Sequence, residues 1–345
     1  MQDLWKILPR MGVRSMKLLM GNEAVALGAL KAGMGFYSGY PITPASEIMH
    51  FLAKVKDLSF VHCEDEIAAI NMIIGASLAG RKTMTATSGP GFSLMQEGLG
   101  LGYMAEIPFV IVNTMRVGPS TGMPTLPSQG DVSFACHNSH GDTYPIIFYP
   151  NSVEECYKIT IEAFNCAEEA KQPVILLMDA ILSHMYEPVD VESINVDIKN
   201  RDKKKLGEGL GHTTGLISEN GDPKTKDPEA YKRWLKRVKE KRDNIVKNYN
   251  QYEYTKAGDK LIIAYGVTSR VVSDLKDYSI FRPIRLFPVL DELKEIAKEH
   301  SEIIVVEMND GQYADILEKE LKREIKRVPI LGGDITLEDV RKGLD

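Results

Sequence analysis

Residues 35–46 read Gly35-Phe36-Tyr37-Ser38-Gly39-Tyr40-Pro41-Ile42-Thr43-Pro44-Ala45-Ser46: a short strand, a turn braced by two prolines, and the start of a helix. Each proline fixes its own φ and pushes the residue before it toward extended geometry, so Tyr40 and Thr43 are steered out of helix. Downstream, Ile48, Phe51, Leu52 and Val55 recur at helical spacing, which predicts a helix over 44–56. Pro44 suits its first turn and Thr43 its N-cap. The turn thus presents one hydroxyl at a strand end, where it either caps the helix or holds a ligand.

The same alternation extends outward from this stretch. Helices are predicted over 22–31, 65–79, 92–105 and 153–171, and strands over 35–39, 59–62, 83–87, 109–113, 146–149 and 174–178. Helix and apolar strand in turn imply an α/β fold, a parallel sheet wound by helices, with its chemistry in the loops at the strands' carboxyl ends. Those loops are 40–44, 63–66, 88–91 and 114–125. From about residue 190 the texture becomes charged and Gly-rich, with a basic run at 201–205, the stretch Gly207-x-Gly-x-Gly211 and a Lys/Arg-dense helix over 228–247. A solvated helix in a long connection accounts for it. Leu261 to Tyr265 restarts the α/β pattern, continued by a strand at 303–307 and a helix at 313–324. The expected organisation is a domain over 16–190, a charged linker with a helix over 191–257, and a smaller domain over 258–345.

Composition narrows the function classes. The net charge of −6 comes with no basic stripe, which argues against a nucleic-acid scaffold while leaving room for a local anion site. Cys63, Cys136, Cys156 and Cys166 are far apart with no Cys-x-x-Cys pair, so neither a disulfide framework nor a self-contained iron–sulfur or zinc site is indicated. A reducing cytoplasm fits that usage. The first twenty residues carry Lys6, Arg10, Arg14 and Lys17 among short apolar pieces, and no run is long enough to span a bilayer. The expectation is a soluble protein without a membrane partner. His137 and His140 are three apart without a third ligand, which speaks against a metal site; His140 is instead a polar candidate for the site's mouth.

Three groups could carry chemistry. Glu64, Asp65 and Glu66 open a helix, where the macrodipole favours carboxylates. Helical spacing puts Glu66 on the stripe of Ile70, Ile73, Ile74 and Ser77, so it should turn inward, with its acidity weakened by burial. Thr87-Ser88-Gly89-Pro90-Gly91 is a strand-to-helix turn whose glycines permit close backbone approach, either to a ligand or simply to a packed neighbour. It matches neither nucleotide fingerprint. Arg116 precedes Gly118-Pro119-Ser120-Thr121-Gly122-Met123-Pro124-Thr125, a setting that suits a carboxylate clamp as well as a surface arginine.

Taken in order, Tyr40-Pro-Ile-Thr-Pro-Ala-Ser46, Glu64-Asp-Glu-Ile-Ala-Ala-Ile70, Thr85-Ala-Thr-Ser-Gly-Pro-Gly-Phe-Ser93 and Arg116-Val-Gly-Pro-Ser-Thr-Gly-Met-Pro-Thr125 resemble the α subunit of 2-oxoacid:ferredoxin oxidoreductases. The likeness runs from about Gly21 to Ala180. It continues more loosely through His212-Thr213-Thr214-Gly215-Leu216, Leu261 to Gly266 and Arg282 to Pro288. The Gly118 to Thr125 loop looks most like the 2-oxoglutarate branch, with the branched-chain 2-oxoacid branch second.

The resemblance implies a thiamine diphosphate-binding domain of the pyrimidine type, followed by a smaller domain like the C-terminal one of transketolases. Glu66 would hydrogen-bond the aminopyrimidine ring and favour its imino tautomer. Tyr40, Pro41, Ile42, Ser88, Gly89 and Gly91 would line the cofactor, and Thr43 and Arg116 would hold the substrate's carboxylate and keto group. Ser120 and Thr121 are the candidates for a distal carboxylate. Oxidative decarboxylation would then pass electrons through iron–sulfur clusters to ferredoxin and the acyl group to coenzyme A, in either direction. No Gly-Asp-Gly occurs in this chain, and no cysteine set for a cluster. The resemblance therefore assigns the diphosphate and Mg2+ half-site to a β subunit, and the clusters to partners including γ and ferredoxin-like δ subunits. The competing readings are another thiamine-dependent E1 or transketolase-like component and a non-catalytic scaffold in which Glu66 is only a helix-end charge.

Overall fold

The computed structural model describes residues 16–201 and 215–345. The Gly207 to Gly211 stretch, the His212-Thr213-Thr214 segment and most of the 201–205 run lie outside these residues.

The chain begins β1 (Lys17–Met20), α1 (Gly21–Lys31), β2 (Met34–Gly39), α2 (Ser46–Leu52), β3 (Ser59–His62), α3 (Glu66–Leu78), β4 (Lys82–Thr87). It continues α4 (Gly89–Leu94), α5 (Gln96–Met104), β5 (Val110–Val117), β6 (Met123–Pro127), α6 (Val132–Cys136), β7 (Ile147–Phe148), α7 (Val153–Ala170) and β8 (Val174–Asp179). After α8 (Ala180–His184) and β9 (Tyr186–Val189) come the small hairpin β10 (Ser218–Glu219) and β11 (Asp222–Pro223) and the helix α9 (Pro228–Ile245). The last part is β12 (Tyr252–Thr255), β13 (Lys260–Ile263), α10 (Gly266–Val272), β14 (Ser279–Pro283), β15 (Arg285–Phe287), α11 (Asp291–Lys298), β16 (Glu302–Glu307), α12 (Gln312–Leu321), β17 (Lys326–Pro329) and α13 (Leu337–Leu344).

The first sheet has the order β15-β7-β8-β5-β4-β2-β3, with β6 folded back on β5. Strands β7, β8, β5, β4, β2 and β3 are parallel; β15 and β6 are antiparallel additions. The central strands are buried on both faces: β8 and the first half of β5 are apolar runs, and β4 is fully buried although it alternates threonine with apolar residues. Along β5, Val110 and Val112 pack beneath α1 and α7, whereas Ile111 faces the opposite layer with Ile70 and Leu99. The second sheet, β12-β14-β13-β16-β17, is parallel except for β12. Ile111 and Ile175 of the first sheet share one apolar cluster with Phe281 and Leu286, so the two α/β units have a continuous core.

Two strands cross the expected domain limits. Tyr252–Thr255 pairs with β14, so the second sheet recruits residues from the expected linker. Arg285–Phe287 pairs with Ile147–Phe148, so the second unit lends a strand to the first sheet. A polar seam also joins the units. Met308 N–H donates to Gln129 Oε1 and Gln129 Nε2 to the Tyr265 carbonyl, both at 2.9 Å, while Asn309 Nδ2 donates to the Gln129 carbonyl at 2.8 Å.

Helix α9 is less solvated than its composition suggests. Ala230, Val238 and Arg242 are buried, and Arg237 and Lys241 both donate to Glu106 at the end of α5. The 92–105 helix is instead two, α4 and α5, broken at Met95, whose N–H is shared between the Gly91 and Phe92 carbonyls. Among the described residues no helix is long and apolar enough to cross a membrane.

Candidate functional site

The carboxyl ends of β2, β3, β4 and β5 carry the four segments singled out in the sequence. Asp65 caps α3, its side chain accepting from Ala68 N–H at 2.7 Å, and this fixes the first turn of the helix. Glu66 then points inward at 5% exposure, on the buried stripe of Ile70, Ile73, Ile74 and Ser77. Burial, reinforced by the neighbouring Asp65 charge, raises its carboxyl above the ordinary range, partly offset by a backbone hydrogen bond.

Gly91, in the first turn of α4, packs directly on that carboxyl. A β-carbon there would lie 2.3 Å from Glu66 Oε1 and 2.1 Å from Thr87 Oγ1, so no side chain fits. Ser88 is fully buried at the N-cap of α4, and its Oγ has no hydrogen-bond partner. A β-carbon on Gly89 would sit 3.1 Å from Asp131 Oδ2. Asp131 in turn accepts from Asn113 Nδ2 at 2.9 Å.

Arg116 lies near the end of β5 at 8% exposure, and its Nη1 donates to the Thr43 carbonyl at 2.8 Å. Its Nε is buried without a partner. Burial lowers the guanidinium's proton affinity and the Asp131 carboxylate raises it. Reciprocally, burial raises the Asp131 carboxyl while Asn113 and Arg116 hold it down.

The turn at 42–45 departs from the expected cap. The Ala45 N–H donates to the Ile42 carbonyl at 2.9 Å, Ala45 is the N-cap without a side-chain bond, and the helix starts only at Ser46. The Pro44 carbonyl accepts from Asn22 Nδ2 at 2.9 Å. Thr43 is exposed and carries no capping role. Tyr40 is 39% exposed, its ring centroid 6.5 Å from that of His62.

The expected loop at 114–125 is largely strand. β5 runs on to Val117 because Thr114 and Met115 pair with Met178 and Asp179 of β8, and the chain returns as β6. Ser120 and Thr121 form the exposed hairpin tip. A cleft of about 760 Å³ opens between the two α/β units, lined by Gly89, Arg116, Ser120, Asp131, Asn309 and Gln312 among others. Glu66, Thr43 and Thr121 are not part of its walls, and neither is His140, which lies over Gly100 of α5. Among the described residues no group of three His, Cys, Asp or Glu is placed to hold a metal.

The fold thus joins Glu66 to Gly91 and Arg116 to Thr43, and adds three residues the sequence did not single out: Asn22, Asn113 and Asp131. Asn113 carried a signal, as a polar residue closing the apolar run 109–112. Asn22 and Asp131 carried none, since their partners are distant in sequence.

A family model described as "Pyruvate flavodoxin/ferredoxin oxidoreductase, thiamine diP-bdg" matches residues 27–254. The 2-oxoglutarate synthase subunit KorA of Archaeoglobus fulgidus is 41% identical over 338 residues, covering 92% of this chain and 95% of that one. The ketoisovalerate oxidoreductase subunit VorB of Methanothermobacter marburgensis is 37% identical over 341 residues, covering 94% and 96%. Among solved structures, the 2-oxoglutarate:ferredoxin oxidoreductase of Magnetococcus marinus, with 2-oxoglutarate, coenzyme A and succinyl-CoA bound, superposes with a TM-score of 0.89 at 30% identity; the match covers 96% of this chain and 66% of that one. A split-gene transketolase shares the fold at a TM-score of 0.57 and 13% identity.

Proposed function

The chain belongs to the thiamine diphosphate-binding family of pyruvate flavodoxin/ferredoxin oxidoreductases, as an α-type subunit that works in a complex, and from that premise we propose its substrate and the roles of its residues. The substrate is 2-oxoglutarate, converted with coenzyme A to an acyl-CoA and CO2 while ferredoxin is reduced. The ketoisovalerate relative makes a branched-chain 2-oxoacid the second reading.

The observation that carries the reading is the buried Glu66 carboxyl seated on Gly91 at the carboxyl edge of the parallel sheet. The residues fit the pyrimidine half of thiamine diphosphate: a buried acid, a side-chain-free turn beside it, and an unpartnered buried hydroxyl at Ser88. Bound thiamine diphosphate supplies the carbanion chemistry. Glu66 would hydrogen-bond a ring nitrogen, with burial raising the proton affinity of its carboxyl. Tyr40, Pro41 and Ile42 would line the cofactor together with Ser88, Gly89 and Gly91, whose turn offers backbone approach. Thr43 and Arg116 hold the substrate carboxylate and keto oxygen, with Arg116 steadying Thr43 through its carbonyl. Ser120 and Thr121 serve a distal carboxylate.

The sequence lacks Gly-Asp-Gly and a cysteine cluster set, which supports a β partner bearing diphosphate and Mg2+ and further γ and δ partners bearing iron–sulfur clusters. The test is coenzyme A-dependent reduction of ferredoxin or viologen by the purified complex across a panel of 2-oxoacids. Preference for 2-oxoglutarate supports the reading; preference for a branched-chain 2-oxoacid replaces the substrate, and turnover by the isolated chain overturns the division of roles.

A further inference from the structure

Asn22 is fully buried in the first turn of α1, remote in sequence from every residue assigned above. Its side-chain amide spends both hydrogens on the turn that presents Thr43: Nδ2 donates to the Pro44 carbonyl at 2.9 Å and to Glu47 Oε2 at 3.0 Å. Arg116 donates to the adjacent Thr43 carbonyl from the other side. Two consecutive carbonyls are thus tied by side chains from two different elements, and the Ala45 to Ile42 hydrogen bond closes the turn between them.

Helix formation does not call for asparagine here. Alanine is the better helix former, and a buried amide costs free energy unless bonded. Asn22 Oδ1 indeed has no partner, so the donors alone account for the residue. They tie the Pro44 carbonyl and the first turn of α2 to α1, around a turn that leaves Thr43 exposed at the strand end.

We infer that Asn22 is a positioning residue for substrate binding, acting through the Pro44 carbonyl to hold the Thr43 turn in its open, non-capping form. The inference rests on the reading that Thr43 faces the 2-oxoacid. Glu47 is the outer support: it accepts from the same amide and lies 3.4 Å from His184 Nε2.

Two variants of the assembled complex separate a donor from a space filler. Asn22→Ala removes the amide, whereas Asn22→Asp keeps its shape, loses the donors and faces Glu47 with a like charge. Both should raise KM for the 2-oxoacid by about ten- to a hundredfold, as expected for a displaced binding group, with kcat changed less and the thiamine diphosphate concentration for half-activation within about twofold. Deuterium uptake should rise in peptides covering 40–46 and stay unchanged in those covering 153–170. Thr43→Ala is assayed in parallel. If Thr43→Ala raises KM while both Asn22 variants assemble with unchanged KM, the positioning role is overturned. If Asn22→Asp behaves as wild type and only Asn22→Ala is impaired, Asn22 is packing and the inference is again overturned. If Thr43→Ala itself leaves KM unchanged, the substrate role of the turn falls first.

Discussion

Gly91 and Glu66 occupy one another's space: a β-carbon on the glycine would stand 2.3 Å from the carboxylate oxygen Oε1. The glycine lies in the first turn of α4 and the acid in the first turn of α3, so two helix starts are docked through one carboxyl. Gly91→Ala should push Glu66 or Thr87 aside, costing about 1–3 kcal/mol as overpacking does, and depress turnover more than stability alone explains. Thermal melting and single-turnover assays of the complex check the two effects separately.

Glu66 gives a pH signature independent of catalysis. Its carboxyl is raised in the folded chain, so the folded state binds its proton more tightly than the unfolded state does. That contribution is fully present below the ordinary carboxylate range and is lost as pH rises through the folded value. Glu66→Gln, which stays neutral, should match wild type in acid and become progressively more stable than wild type as pH rises. Melting curves from about pH 4 to about pH 8 read the divergence; parallel curves contradict the buried acid.

The Gln129 side chain bridges two backbone groups in the seam between the two α/β units. Gln129 is fully buried and satisfies both the Met308 N–H and the Tyr265 carbonyl. Gln129→Ala leaves the buried Met308 N–H unpaired and removes one of the two donors to the Tyr265 carbonyl, which keeps the Thr268 hydroxyl, and should cost about 1–3 kcal/mol. Chemical denaturation measures this, and a loss below about 0.5 kcal/mol means that water replaces the amide.

Arg116 is already half-engaged by Thr43. Arg116→Lys retains the charge but not the forked donors, so it should raise KM for the 2-oxoacid about tenfold while leaving cofactor activation near wild type. Initial rates across 2-oxoacid concentrations decide it.

Much of this architecture was legible in the chain because strands covered on both faces are written as apolar runs, as in Val174 to Met178, and no partner is needed to see them. Glu66 was legible for a related reason: it falls on a helical stripe that had to face inward. What stayed hidden depended on distant partners. The cap expected at Thr43 is not formed, and nothing near it in sequence shows the bond from Asn22 to the Pro44 carbonyl. Residues 114–125 form a hairpin where the sequence suggests a loop, because the pairing of Thr114 and Met115 with β8 is a tertiary fact, and the lending of Arg285–Phe287 to the first sheet is equally non-local. Asp131 reaches Asn113 and the Gly89 turn only through the fold.

The central claim is that Glu66 is the acid of a thiamine-dependent half-site, and its most direct test is turnover of the assembled complex carrying Glu66→Gln. Coenzyme A-dependent reduction of ferredoxin by 2-oxoglutarate should fall at least about a hundredfold, the usual scale for loss of a proton-transferring group, with subunit assembly unchanged. Assembly with undiminished turnover contradicts it.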